Sequence, residues 1–208
     1  MEEVKMISAL EALERLQDGN KRFLEQNKFA DQVHRQDLAV SQEPFATILG
    51  CSDSRVPVEI IFDQDFGDLF VIRVAGNIVA PSHIGSVEFA AEKFGTHLVV
   101  VLGHSRCGAV TATLEELRRP TVSQSRNLRS IVDRIRPSVE ELLSTDLKDD
   151  YDSLLKHAVR SNIRASVNQL THGSEILEQM VDRNELLVVG AEYSLETGAV
   201  DFFYNMHN

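Results

Sequence analysis

Along residues 6–29, Ile7, Leu10, Leu13, Leu16, Phe23, Leu24 and Phe29 recur between polar positions. That spacing is close to the period of an amphipathic helix, with Gly19 as an interruption. The pattern predicts an N-terminal helical arm. Its apolar stripe needs a surface to cover, either the chain's own core or a partner subunit.

Beyond the arm the period changes. "FATILG" (45–50), "LFVIRVAG" (69–76) and "HLVVVLG" (97–103) are short apolar runs bounded by glycine or charge. Near-continuous Val, Ile and Leu fits strands covered on both faces, as in a parallel sheet. Helical stretches lie between and after them. Residues 82–95 place Ile84, Val87, Ala91 and Phe94 on one side and stop at Gly95, and residues 107–119 stop at Pro120. Residues 124–182 read as largely helical, with breaks expected near Pro137, Ser144 and Gly173. "NELLVVGAEY" (184–193) is a fourth strand, and "GAVDFFYN" (198–205) a fifth, joined to it by a short turn as an antiparallel hairpin.

Strands alternating with helices predict an α/β fold. The expected architecture is a mostly parallel four-stranded sheet of order 2-1-3-4 with a C-terminal antiparallel strand, flanked by helices. No linker or repeat divides the 208 residues. The chain reads as one domain, 1–208, with the arm over 1–40 and the α/β core over 41–208.

Composition narrows the function. Hydrophobic residues make up 43% and charged residues 25%, the balance of a globular chain rather than a disordered one. Against 32 acidic residues stand 21 basic ones, for a net charge of −11. That argues against nucleic acid and against an anionic membrane surface as partners. No apolar run has the length to span a bilayer. The acidic N-terminus lacks the features of a secretory signal, so the expected location is cytoplasmic. Two cysteines in such a chain are expected to be thiols.

Those two cysteines stand in unusual places. "GCSDSR" follows the first strand, and "GHSRCG" follows the third. In an open α/β sheet, ligands bind beyond the carboxyl ends of strands where the winding reverses. With the strand order above, the two stretches are neighbours, and Cys51, His104 and Cys107 meet. Two thiolates and an imidazole suit zinc, and three protein ligands with one open position is a catalytic arrangement. Either stretch alone is commonly mere packing, since free cysteine is among the most buried residue types. A nucleophilic pair of His104 with Cys51 or Cys107 is the other chemistry open to these residues. Asp53 and Arg55, two apart, point the same way from an extended strand exit. Beside a metal, an ionised Asp53 accepts a hydrogen bond and aligns the attacking oxygen, while Arg55 keeps it charged and in place. Two thiolates also offset the metal charge, so activity is expected to rise toward alkaline pH. A flat pH–rate profile would count against that.

The blocks "GNKRF" (19–23), "QEPFATILGCSDSR" (42–55), "FGDLFVIRVAGNIV" (66–79), "GSVEFAAEKFG" (85–95), "GHSRCGA" (103–109) and "VVGAEYSLETGAVDF" (188–202) resemble, in order, those of the β-class carbonic anhydrases. The resemblance departs most over about 121–151. It implies one zinc per chain on Cys51, His104 and Cys107, with Asp53 and Arg55 as the catalytic dyad. It implies reversible hydration of carbon dioxide to bicarbonate and a proton by zinc-bound hydroxide. Gln42 matches a glutamine that donates to substrate oxygen, and Gly108 a glycine whose amide faces the site. Phe70, Ala75 and Phe89 match the apolar substrate pocket, although many members carry tyrosine at the position of Phe89. Some members close the site by letting the aspartate bind zinc, and carry a tryptophan where this chain has Ile48. The chain has no tryptophan, so the open form is expected, with Asp53 a fourth ligand only in a closed state. His83, between matched blocks, is a candidate proton relay. The resemblance also implies a homodimer as minimal unit, extending to tetramers or larger. Alternatives on the same site are hydrolysis of carbon disulfide or carbonyl sulfide, and a non-catalytic zinc-binding homologue.

Overall fold

The computed structural model describes residues 7–25, 41–120 and 125–205. Five strands form one sheet in the order β2-β1-β3-β4-β5: β1 (Ala46–Gly50), β2 (Leu69–Arg73), β3 (Leu98–His104), β4 (Leu187–Tyr193) and β5 (Val200–Tyr204). β1 runs parallel to β2 and β3, β3 runs parallel to β4, and β5 pairs antiparallel with β4. The mixed sheet expected from the sequence is therefore the one found. Leu98, Val99, Val100, Val101 and Leu102 of β3 are all fully buried. Val99 and Val101 join Leu49 and Val188 on one face, while Leu98, Val100 and Leu102 join Ile48 and Val189 on the other. Two covered faces explain why these strands read as continuous apolar runs.

Seven helices flank the sheet among the described residues: α1 (Ala9–Leu24), α2 (Val58–Ile61), α3 (Pro81–Phe94), α4 (Gly108–Arg118), α5 (Arg126–Val139), α6 (Tyr151–His172) and α7 (Glu175–Asp182). Short 3-10 turns occupy Ala75–Asn77, Glu140–Ser144 and Asp146–Asp149. α1 and α2 cover the Ile48 face, and the helices from α3 to α7 cover the other.

α1 starts at a capping box. The Ser8 hydroxyl accepts from the Glu11 amide, and the Glu11 carboxylate accepts from the Ser8 amide. Ala12, Leu13 and Leu16 are buried against the sheet. Leu13 and Leu16 of the arm's stripe thus cover the chain's own core, while Leu10 and Leu24 are exposed in the single chain. Gly19 does not interrupt α1. A Cβ there would lie 1.7 Å from the Phe62 carbonyl oxygen, so the glycine allows the helix to cross the end of α2 at backbone contact. The adjacent Asn20 is buried, donates to the carbonyls of Ile61 and Gly198, and accepts from the Val200 amide. Phe29 and the rest of the expected arm over 26–40 lie outside the described residues.

Two further boundaries differ from expectation. The second apolar run leaves the sheet after Arg73, because Gly76 (φ 71°) and Asn77 (φ 43°) turn the chain. Pro137 does not break its helix; α5 runs through it to Val139. A proline so near the helix end forfeits only a bond that the final turn can lose. The other expected breaks occur. The 3-10 turns meet at Thr145, and α6 ends before Gly173, where Ser174 caps α7 by accepting from the Leu177 amide.

Candidate metal centre

The carboxyl ends of β1 and β3, neighbours in the sheet, build the site. Cys51 follows Gly50 directly, and His104 is the final residue of β3. Cys107 stands at the N-cap of α4 after a tight turn in which Arg106 takes φ 55°. All three side chains are buried, and their sulfur and nitrogen donors lie within 4.8 Å of one another. This is the convergence that the strand order requires.

The donors fit a metal ion. His104 Nδ1 lies 2.9 Å from the Ser105 carbonyl oxygen. A carbonyl can only accept, so Nδ1 carries the proton and Nε2 is left with a bare lone pair. That Nε2 is fully buried and has no hydrogen-bond partner, a costly condition unless something electrophilic occupies the space before it. The two buried sulfurs are neighbours. The adjacent Cys107 thiol and the Gly76 amide outweigh burial and pull the Cys51 thiol down to about 4. Its neighbour Cys51, together with burial, pushes Cys107 up. A divalent cation held there would stabilise both sulfurs as thiolates.

Asp53 stands at the edge of the cluster, its Oδ2 3.7 Å from His104 Nε2. Arg55 grips it bidentately, with Nε 2.9 Å from Oδ1 and Nη2 2.8 Å from Oδ2, and the Arg55 amide adds a third bond at 3.0 Å. The guanidinium holds the carboxyl well below the ordinary carboxylate range. Arg73, the last residue of β2, clamps the backbone beneath. Its Nε donates to the Cys51 carbonyl at 3.0 Å and its Nη2 to the Asp53 carbonyl at 2.6 Å. Sequence reading missed Arg73; the available signal was a lone charge inside an apolar run.

The turn after His104 is latched from elsewhere. The Ser105 hydroxyl accepts from the Leu195 amide and donates to Glu196, and its own amide donates to the Tyr193 carbonyl. Arg106 pairs with Glu196 at 2.9 Å.

The remaining expected site residues are placed less tightly. Gly108 opens α4, and nothing lies within 4 Å of where its Cβ would be. Phe70 and Phe89 lie 6.2 Å apart between ring centroids and both pack on Phe94, with Phe89 half exposed. Ala75 is half-buried at the start of the turn that holds Gly76. Gln42 is exposed ahead of β1, and no hydrogen bond joins it to the cluster among the described residues. His83, on α3, is partly buried, and burial with the charge of Arg134 holds it below its ordinary value.

A mostly parallel sheet with two thiols and an imidazole gathered beyond the ends of its central strands defines an α/β protein able to hold a metal ion there. Residues 46–200 match the family model described as carbonic anhydrase. Carbonic anhydrase 2 of Mycobacterium tuberculosis is 37% identical over 186 residues, covering 88% of this chain and 87% of that one. The carbonic anhydrase of Mycolicibacterium smegmatis is 36% identical over 191 residues, 89% of each chain. Among solved structures, the β-carbonic anhydrase CcaA superposes with a TM-score of 0.73 at 26% identity, over 95% of this chain and 94% of that one. CafA of Aspergillus fumigatus gives 0.72 at 26% identity, over 96% and 92%. The chain belongs to the carbonic anhydrase family, in its β class.

Proposed function

We propose that the chain catalyses the reversible hydration of carbon dioxide to bicarbonate and a proton, with one zinc ion held by Cys51, His104 and Cys107. The observation that carries this reading is the buried, unpartnered His104 Nε2 within 4.8 Å of two buried sulfurs. Bound there, zinc supplies the Lewis acidity that readies water for attack near neutral pH.

The chain's own residues do the rest. Asp53, held ionised by Arg55, accepts the hydrogen of the attacking water at Oδ2 and so aims the oxygen lone pair at the substrate. Its engagement by Arg55 supports the open form of the site. Phe70, Phe89 and Ala75 offer carbon dioxide, a small uncharged molecule, an apolar wall. The Gly108 amide, at a helix N-terminus, and Gln42 donate where negative charge grows on oxygen.

A homodimer is the minimal unit in this proposal. Exposed Ile60, Phe66 and Phe89 support it, being 55%, 68% and 52% accessible in the single chain. No described helix is long and apolar enough to cross a membrane. A cytoplasmic location belongs to the proposal, supported by two free thiols that zinc requires reduced. The test is carbon dioxide hydration followed by stopped flow, with zinc content measured on the same sample. Rapid hydration at one zinc per chain is expected; zinc at that level without hydration would refute the reading.

A further inference from the structure

α6 carries two polar residues where a core helix should be apolar. Asn162 and Ser166 are each 2% exposed. They are four apart and therefore share one helix face, one turn apart. Both reach the 3-10 turn at Ala75–Asn77. Asn162 Nδ2 donates to the Gly76 carbonyl at 2.8 Å, and Ser166 Oγ donates to the Asn77 carbonyl at 2.9 Å. Two successive carbonyls of one turn are thus held by two successive turns of one helix.

The same turn meets the metal centre on its other side. The Gly76 amide donates to Cys51 Sγ at 3.4 Å. The turn is an unusual one. Gly76 and Asn77 both have positive φ, a region that glycine and asparagine enter more readily than other residues. A Cβ on Gly76 would come within 2.9 Å of Ile135 and 3.0 Å of Ala109, so α5 and α4 wedge it from the sides. Such residues tolerate several conformations, so the segment by itself does not fix which way the Gly76 amide points. Packing confines the turn, and the two hydrogen bonds from α6 fix its rotation.

We propose that Asn162 and Ser166 are positioning residues for the metal centre: they aim the Gly76 amide at the Cys51 thiolate. A donor on a ligand sulfur draws off part of its charge and fixes its direction, and such outer partners typically set metal affinity by 10- to 100-fold. This inference rests on the zinc site proposed above. It also accounts for a buried asparagine in mid-helix, a weak helix former whose amide would be costly to bury unpaired.

The test uses zinc itself, competed against a chromophoric chelator, and the cobalt-substituted protein. Asn162→Leu keeps the volume and removes the donor. Its zinc dissociation constant is expected to rise about 10- to 100-fold, with a shifted sulfur-to-cobalt charge-transfer band. Ser166→Ala removes a single hydroxyl and is expected to weaken zinc by about 2- to 12-fold. Leu170→Ala, farther along α6 and fully buried, lowers the melting temperature and leaves zinc affinity and the cobalt band alone. If wild-type protein binds no zinc, the metal site itself is refuted. If wild type binds zinc and Asn162→Leu binds it equally, with an unchanged band, the positioning role is overturned. Should Asn162→Leu fail to fold, Ser166→Ala decides, and unchanged zinc affinity there overturns the inference.

Discussion

Gly19→Ala should destabilise the protein, against the usual rule for a helix. In an exposed helix interior, alanine is favoured over glycine by about 1 kcal/mol. Here the added Cβ would stand 1.7 Å from the Phe62 carbonyl oxygen and 2.7 Å from its carbon, both backbone atoms that no rotamer change can remove. Since real Cβ contacts essentially never fall below 3.0 Å, α1 must withdraw by about 1.3 Å. The Asn20 bonds to Ile61, Gly198 and Val200, at 3.1, 3.0 and 2.9 Å, stretch beyond bonding range in that movement. Each is worth about 1 kcal/mol net, and more if its groups stay buried unpaired. Looser packing of Leu13 and Leu16 adds to the loss. After the propensity gain, a net loss of about 3 kcal/mol remains, which in a chain of this size lowers the melting temperature by about 6–12 °C. Urea unfolding with an unchanged slope, followed by circular dichroism, reads the change directly. A Gly19→Ala protein as stable as wild type, or more so, would refute the backbone crossing and restore the glycine as a mere weak point in the helix.

Three other outcomes follow from the site. Cys107→Ala should lose zinc and activity together, as measured by metal analysis and stopped flow on one preparation; retention of stoichiometric zinc would remove Cys107 from the ligand set. Asp53→Ala should keep zinc and lose about 10²-fold or more of kcat/KM, and a loss of only a few-fold would show that its carboxylate does not align the nucleophile. His83 is held below its ordinary value by burial and by Arg134, so the unfolded chain takes up a proton near pH 6.5 that the folded chain refuses. Stability should therefore fall as pH drops below about 6.5, down to the folded pKa, and His83→Gln should flatten this part of a urea-midpoint profile; an unaltered slope would show that His83 does not contribute to it.

The strands and the cluster of Cys51, His104 and Cys107 were legible because each depends on local pattern. Both faces of β3 are buried, which leaves a continuous apolar run, and the cysteines interrupt the chain where such runs end. The donors met because the strand order put β1 beside β3. What was hidden depends on contacts between distant elements. Gly19 looks like a helix breaker until Phe62 is seen against it, 43 residues away. The stripe of α1 has the same spacing whether it covers its own sheet or another subunit. Asn162 and Ser166 read as ordinary polar positions of a surface helix, because nothing in their own segment announces a turn at Gly76. Arg73 is the intermediate case: a charge in an apolar strand asks for a partner, but only the fold supplies the Cys51 and Asp53 carbonyls.

The latch at Ser105 bears on when the protein becomes able to take its metal. The turn between His104 and Cys107 is secured by the Tyr193 carbonyl, the Leu195 amide and Glu196, some 90 residues downstream. A nascent chain emerging from the ribosome has all three donor residues in hand once Cys107 is made, yet it lacks the strand and turn that hold two of them in register. Domains tend to fold as whole units during synthesis, and the long-range closure at Ser105 favours that here. The expected order is polypeptide first, hairpin second and zinc last, so that an abandoned translation product leaves two loosely held thiols rather than a charged metal site.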